Sequence, residues 1–276
     1  MPQKPLSIVL IHGLWMTPHS WKPFVKYYEA LGYRVAAPAW PRLKGSIEDL
    51  RREPSVLAGL GVLEIADHYD RFIRAMPEAP IVIGHSFGGL IVQILLDRGL
   101  GAAGVAIDAT APKGVFRLPF SQIKAASPVL SHPLSYNSTV MLTFDQFHYA
   151  FANTLSERDA RNIYEQEVIP GPGRPLFQAA LANFTPHAAT TIDFRNSDRS
   201  PLLLINGSRD NLVPESVNRS TYRKYARSGA ITEYKQFDAR SHLIVAEPGW
   251  EEVAQFAVSW AEAKAVDVSL RVVRAA

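Results

Sequence analysis

The sequence predicts an α/β protein: a mostly parallel, doubly wound sheet with an inserted helical cap. Three observations carry this prediction. Short β-branched apolar runs alternate with amphipathic helical segments up to about residue 109 and again from residue 201. One such run, Ile81-Val82-Ile83, passes directly into Gly84-His85-Ser86-Phe87-Gly88, and helical spacing follows at Leu90, Ile91, Ile94 and Leu95. Between residues 112 and 200 the alternation stops, and prolines and aromatics punctuate helical fragments. A structureless loop of that length is rare in a compact domain, so 112–200 is expected to be a helical cap inserted between core segments 1–111 and 201–276.

Taken in order, Leu6 to Ile11 is continuously apolar and reads as a buried strand. His12-Gly13-Leu14-Trp15 follows as a loop. Ser20 is a candidate N-cap for a helix carrying Trp21, Phe24, Val25, Tyr28 and Leu31, and Gly32 ends it. Tyr33 to Ala37 is the second strand, and Pro38 and Pro41 open a loop expected to run through Gly61. Val62, Ile65, Ala66, Tyr69, Phe72, Ile73 and Met76 share one helical face. After the Ser86 segment, Gly104 to Ala109 reads as a strand, and Thr154 to Glu167 is the clearest helix of the cap. Strands resume at Pro201 to Ile205 and Ala230 to Phe237, separated by a helix with Val217, Tyr222 and Tyr225. Val253, Phe256, Ala257 and Trp260 mark a closing helix, and the tail from Val266 has no assigned element.

Composition narrows the classes. The 276 residues include 29 basic and 26 acidic side chains, a formal charge of +3, with no block of like charge. No nucleic-acid or membrane partner is therefore expected, although the pI is about 9.1. The absence of cysteine excludes disulfides, thiolate metal sites and a cysteine nucleophile. The first apolar run is too short for a secretory signal, and no run reaches the ~20 residues of a membrane helix. A cytoplasmic protein acting on a small molecule is expected, with oligomeric state open.

Strand, glycine-flanked serine and helix in succession form a nucleophile elbow. Gly84 and Gly88 let neighbouring backbone crowd the turn, and the new helix points free N–H groups at developing negative charge. A serine hydroxyl needs a base, and the base needs an orienting partner. His242 follows the last strand and Asp210 the strand before it, so both fall at the carboxyl edge of the sheet. Asp108, at the end of the strand after the elbow helix, competes with Asp210; its other reading is a cap on the loop into the inserted segment. The backbone N–H of Phe87 and that of Leu14 are the expected oxyanion donors, with Trp15 the alternative to Leu14. His12 is read as bracing its loop, and His85 and Trp15 as candidate pocket residues. His132, His148 and His187 are too widely spaced for a metal motif. No metal or organic cofactor is implied.

His12-Gly13, Gly84-His85-Ser86-Phe87-Gly88-Gly89, Gly207-Ser208-Arg209-Asp210 and Ser241-His242 together resemble the α/β-hydrolase superfamily over residues 6–262. The resemblance points to its branch of small esterases, cofactor-free haloperoxidases and C–C bond hydrolases. It implies a Ser86–His242–Asp210 triad cleaving a small-to-medium apolar carboxylic ester. It also admits a lactonase, an amide or carbamate hydrolase, a C–C bond hydrolase, or a ligand receptor on the same fold. Two departures are visible: the first two strands of the family's eight-stranded sheet are expected to be missing, and His-Gly-Leu-Trp replaces the more usual His-Gly-x-Pro.

Overall fold

The first strand, β1 (Ser7–Ile11), is buried at all five positions, as its unbroken apolar run requires of a strand covered on both faces. The computed structural model describes the backbone of residues 7–275 and the side chains of 7–265; the expected start at Leu6 lies outside that range. The first part of the chain continues through α1 (Lys22–Ala30), β2 (Arg34–Ala36), α2 (Ile47–Arg52), α3 (Val62–Arg74), β3 (Ile81–His85), α4 (Phe87–Asp97) and β4 (Ala103–Ile107). Then come α5 (Phe120–Leu130), β5 (Thr139–Val140), α6 (Phe144–Ala150), α7 (Glu157–Glu167), β6 (Gly171–Pro172) and α8 (Arg174–Ala180). The chain closes with β7 (Leu202–Gly207), α9 (Glu215–Lys224), β8 (Thr232–Phe237) and α10 (Trp250–Ala275).

Six strands form one sheet in the order β2-β1-β3-β4-β7-β8, and every pairing in it is parallel. Gly84 on β3 stands opposite Ile11 on one side and Ala106 on the other. Strand alternation divides the core in two. Val9, Ile11, Val82, Ala106 and Leu204 face α3, α4 and the aromatic residues of the segment between β4 and β7. Ile8, Leu10, Ile83, Val105 and Ile205 face Trp21 just before α1, Phe24 and Tyr28 of α1, and Val253, Ala257 and Trp260 of α10. Each fully buried aliphatic or aromatic side chain contributes ~1.5–3 kcal/mol. The helix after the elbow, α4, is buried from Phe87 to Leu96, which its lack of a polar face permits. Its Gln93 is satisfied by the Gly89 carbonyl and the Tyr225 hydroxyl.

Connections leave β1 toward one edge of the sheet and β3 toward the other. The crevice between their carboxyl ends is therefore the switch point where α/β sheets bind ligands. The segment between β4 and β7 contacts this edge, Phe151 packing edge-on against His242 and the Val140 carbonyl accepting from Trp15. It holds four helices and the small antiparallel pair β5–β6, which the sequence did not reveal because each strand has only two residues.

Other local readings change. The stretch expected as a loop to Gly61 contains α2, started by a reciprocal cap in which Ser46 Oγ accepts from the Asp49 amide and the Asp49 carboxylate accepts from the Ser46 amide. Ser20 does not cap α1. Thr17 caps a short 3-10 turn, Pro18–Trp21, and the Ser20 hydroxyl donates to the Thr17 carbonyl. The unassigned tail continues α10 to Ala275. Among the described residues no helix is long and apolar enough to cross a membrane.

Candidate active site

Ser86 sits between β3 and α4 with φ 58° and ψ −120°, a conformation strained for any residue with a Cβ. The surroundings fix it. Its N–H donates to Ile107 O at 2.9 Å, and its carbonyl accepts from the Leu90 and Thr110 amides. Glycine is required on both sides: a Cβ at Gly84 would lie 2.2 Å from Gly88 O, and one at Gly88 would lie 2.0 Å from Ile11 O. The Phe87 N–H opens α4, so it has no partner within the helix and faces the end where the helix dipole favours an anion.

His242 and Asp210 form a pair with fully buried side chains, Nδ1 to Oδ2 at 2.6 Å. The other Asp210 oxygen accepts from the Leu212 and Val213 amides at 2.7 and 2.8 Å. A carboxylate offers only acceptors to an imidazole, so Nδ1 carries a proton, and in the neutral form of the ring Nε2 is a bare acceptor. That Nε2 is buried and has no hydrogen-bond partner in the protein. The His85 ring packs on the His242 ring with centroids 4.7 Å apart, and His85 Nε2 donates to the His242 carbonyl at 2.7 Å. His85, a pocket candidate in the sequence, thus holds the His242 backbone from the residue next to Ser86. Its basicity is pushed well down, first by burial and then by His242.

The loop after β1 faces the elbow. A Cβ at Gly13 would come 2.8 Å from Ser86 Cβ. His12 braces this loop: Nδ1 donates to Gly13 O at 2.9 Å, Nε2 accepts from the Trp40 amide at 3.3 Å, and the ring stacks on Trp40. Burial lowers its pKa to about 4, so it is neutral at physiological pH. Leu14 and Trp15 are buried. Trp15 has φ 64° and is tied to the segment above: its Nε1 donates to Val140 O and its carbonyl accepts from the Ile169 amide, both at 2.9 Å.

Asp108 does not cap the loop into the inserted segment. Its Oδ1 accepts from Asn206 Nδ2 at 2.7 Å and from the Gly207 amide at 2.8 Å, tying the end of β4 to that of β7, while Oδ2 is buried without a partner. Burial, then the neighbouring Asp210, raises its pKa well above the usual carboxylate range. The imidazole–carboxylate bond of His242 goes to Asp210 and not to Asp108. His85, Asp108 and His242 do offer ligand atoms within 4.8 Å of one another. Each imidazole, however, already commits one nitrogen, to the His242 carbonyl and to Asp210. Of the histidines of the inserted segment, His148 bonds the Leu155 carbonyl and His132 meets Ser131 Oγ. His187 is exposed.

Two supporting residues have no local sequence signal. Glu247, 2% exposed, accepts from the Ser241 amide and hydroxyl and from Thr154 Oγ1, which fixes the turn that presents His242. Phe151 sets its ring edge-on to His242 at 4.9 Å, and its carbonyl accepts from the Leu243 amide. Their partners lie far apart in the chain or on the backbone, and no short pattern records either.

The sequence profile described as the Alpha/beta hydrolase family matches residues 8–256. The chain belongs to this family. Solved structures share its fold at low identity. An extracellular alpha/beta-hydrolase from a Paenibacillus species is 19% identical with a TM-score of 0.66, covering 92% of this chain and 98% of that one. A monoacylglycerol lipase from Paleococcus ferrophilus is 20% identical with a TM-score of 0.64, covering 95% and 96%. Tomato methylketone synthase I complexed with 2-tridecanone is 15% identical with a TM-score of 0.68, covering 94% and 98%. No curated protein sequence matches the chain.

Proposed function

We propose that this α/β hydrolase is a serine hydrolase of small-to-medium, largely apolar carboxylic esters. The observation that carries the reading is the His242 imidazole, oriented by Asp210 at 2.6 Å, with a bare Nε2, its ring packed on His85, the residue before the strained Ser86. Ser86 Oγ attacks the ester carbonyl while His242 Nε2 takes its proton. The Phe87 and Leu14 amides receive the oxyanion. His242 then protonates the leaving alcohol, and a water activated by the same imidazole releases the acid from the acyl-enzyme. Asp210 holds the imidazole through Nδ1 and stabilises the imidazolium. Residues 112–200 act as a cap over the site. Trp15, Phe151 and the aromatic residues around them favour an apolar acyl or alcohol group. That structural neighbours include a lipase and hydrolases of the same fold supports an ester substrate.

The test is intact mass after treatment with a fluorophosphonate. Wild type is expected to gain one adduct, and Ser86→Ala, His242→Ala and Asp210→Asn to gain none at matched times. A folded wild type that stays unlabelled overturns the activated serine.

A further inference from the structure

The overall charge is nearly balanced, but the local distribution is not. Between Asp108 and Asp145 the chain has no carboxylate side chain, while Lys113, Arg117 and Lys124 fall in it. Among the described residues none of these three meets a carboxylate within ion-pair distance. Lys113 caps the Thr185 and Pro186 carbonyls, and Lys124 lies over the Tyr149 ring. The same stretch exposes large apolar groups: Phe116 is 74% exposed and Phe120 79%. Phe184, 83% exposed, is brought toward them by Asn183, whose amide group clasps the Gly114 N–H and the Val115 carbonyl. Exposed phenylalanines in this number are costly on a free surface, and here they belong to one segment.

The fold adds charge from elsewhere in the chain. Arg117 lines a groove of 430 Å³ together with Glu215, Ser216, Arg219, Ser220 and Arg223 of α9. Arg219 is paired with Glu215 at 2.7 Å. Three guanidinium groups thus face one carboxylate, beside two hydroxyls. A cationic, hydroxyl-lined groove next to protruding phenylalanines has the two chemistries of an interfacial lipid site: phosphate oxygens for the arginines and the acyl boundary for the rings. A second copy of the chain fits less well. A two-fold contact through this face would set its excess of positive charge against the same excess on the other copy.

We propose that this face, Phe116, Arg117 and Phe120 of the inserted segment together with Arg223 of α9, docks the protein onto an anionic phospholipid surface. The inference stands apart from the ester-hydrolase reading, because neither Ser86 nor His242 takes part in it.

The test is flotation of the full chain with vesicles of phosphatidylcholine alone or mixed with phosphatidylglycerol. Wild type is expected to float with the anionic vesicles, to stay behind with the neutral ones, and to be released by added salt. Arg117→Gln with Arg223→Gln should lower partitioning about 25-fold, about fivefold per charge. Phe116→Ser with Phe120→Ser should lower it roughly tenfold or more. Lys26→Gln, on α1 across the sheet, removes one positive charge from the opposite face and should leave binding unchanged. Ser86→Ala should bind like wild type, so a failed esterase assignment would leave this result standing. The substituted phenylalanines, arginines and Lys26 are exposed, and melting temperatures near that of wild type check that the variants fold. The proposal is overturned by wild type that ignores anionic vesicles, or by binding that survives both double substitutions. A vesicle-free dimer that Phe116→Ser with Phe120→Ser dissolves would assign the face to a second copy instead.

Discussion

Asp210 and Asp108 place two carboxyl groups near one imidazole with opposite hydrogen-bonding fates. Asp210 has both oxygens engaged, by His242 Nδ1 and two backbone amides. Asp108 has one oxygen engaged and one buried without a partner, and its proton affinity is raised. Substitution by asparagine should separate them. Asp210→Asn keeps an acceptor for the Leu212 and Val213 amides but lets His242 Nδ1 act as acceptor, so Nε2 carries the proton and no longer serves as base. Ester turnover should fall ~10³–10⁴-fold with little loss of stability. Asp108→Asn keeps the acceptor for Asn206 and Gly207, and turnover should stay within about tenfold. Steady-state kinetics on one activated ester checks both; equal losses would mean that the imidazole is shared between the two acids. The sequence could rank Asp210 over Asp108 by chain order alone. It could not show that Asp108 ties β4 to β7, because Asn206 and Gly207 lie 98 and 99 residues away.

At the scale of elements, legibility followed the length of the signal. The helices α3 and α4 and the buried strands β1, β3, β4 and β7 each carry a periodic or continuous apolar run, and they stand within a few residues of their expected limits. The six-residue α2 was missed because it buries only Leu50, too little for a periodicity. Its available signal was the pair Ser46 and Asp49, three residues apart. A helix this short depends on its cap and on contacts made elsewhere. Arg51 supplies those contacts, donating to the Tyr164 and Val168 carbonyls of the inserted segment at 2.9 and 2.7 Å. Ser46→Ala should therefore cost about 1 kcal/mol in denaturant unfolding and raise amide exchange over residues 47–52. Arg51→Ala should instead increase exchange near residues 164–168, across the contact. Cap loss that left α2 as protected as in wild type would show that packing alone maintains it.

At the scale of the whole molecule, the buried titratable groups around the switch point give acid stability a definite sign. His12 is held neutral, its pKa lowered to about 4, and His85 is lowered well below its ordinary value. Both groups take up protons more readily when unfolded, so stability is present above about pH 6.5 and is lost as pH falls toward the folded values. Each contributes a slope of up to about 1.4 kcal/mol per pH unit in that window. Asp108 acts oppositely. Its folded value is raised by burial first, then by Asp210 and more weakly by Glu247, so the folded state holds the extra proton. Its contribution is complete below the ordinary aspartate value of about 4 and is lost as pH rises through the folded value. Above about pH 4, for as long as the carboxyl stays protonated in the fold, it therefore offsets one of the two imidazoles. Asp108→Asn removes that offset. The variant's unfolding free energy should climb with pH more steeply than that of wild type above about pH 4, by up to about 1.4 kcal/mol per unit, so that it gains on wild type as pH rises. Other carboxylates held below their ordinary range, such as exposed Asp49 and half-buried Asp70, add the same acid limb to both proteins and cancel in the difference. Urea unfolding at several pH values above about pH 4 measures both slopes directly. Parallel slopes would mean that Asp108 ionises at its ordinary value within the fold, with its second oxygen reached by solvent.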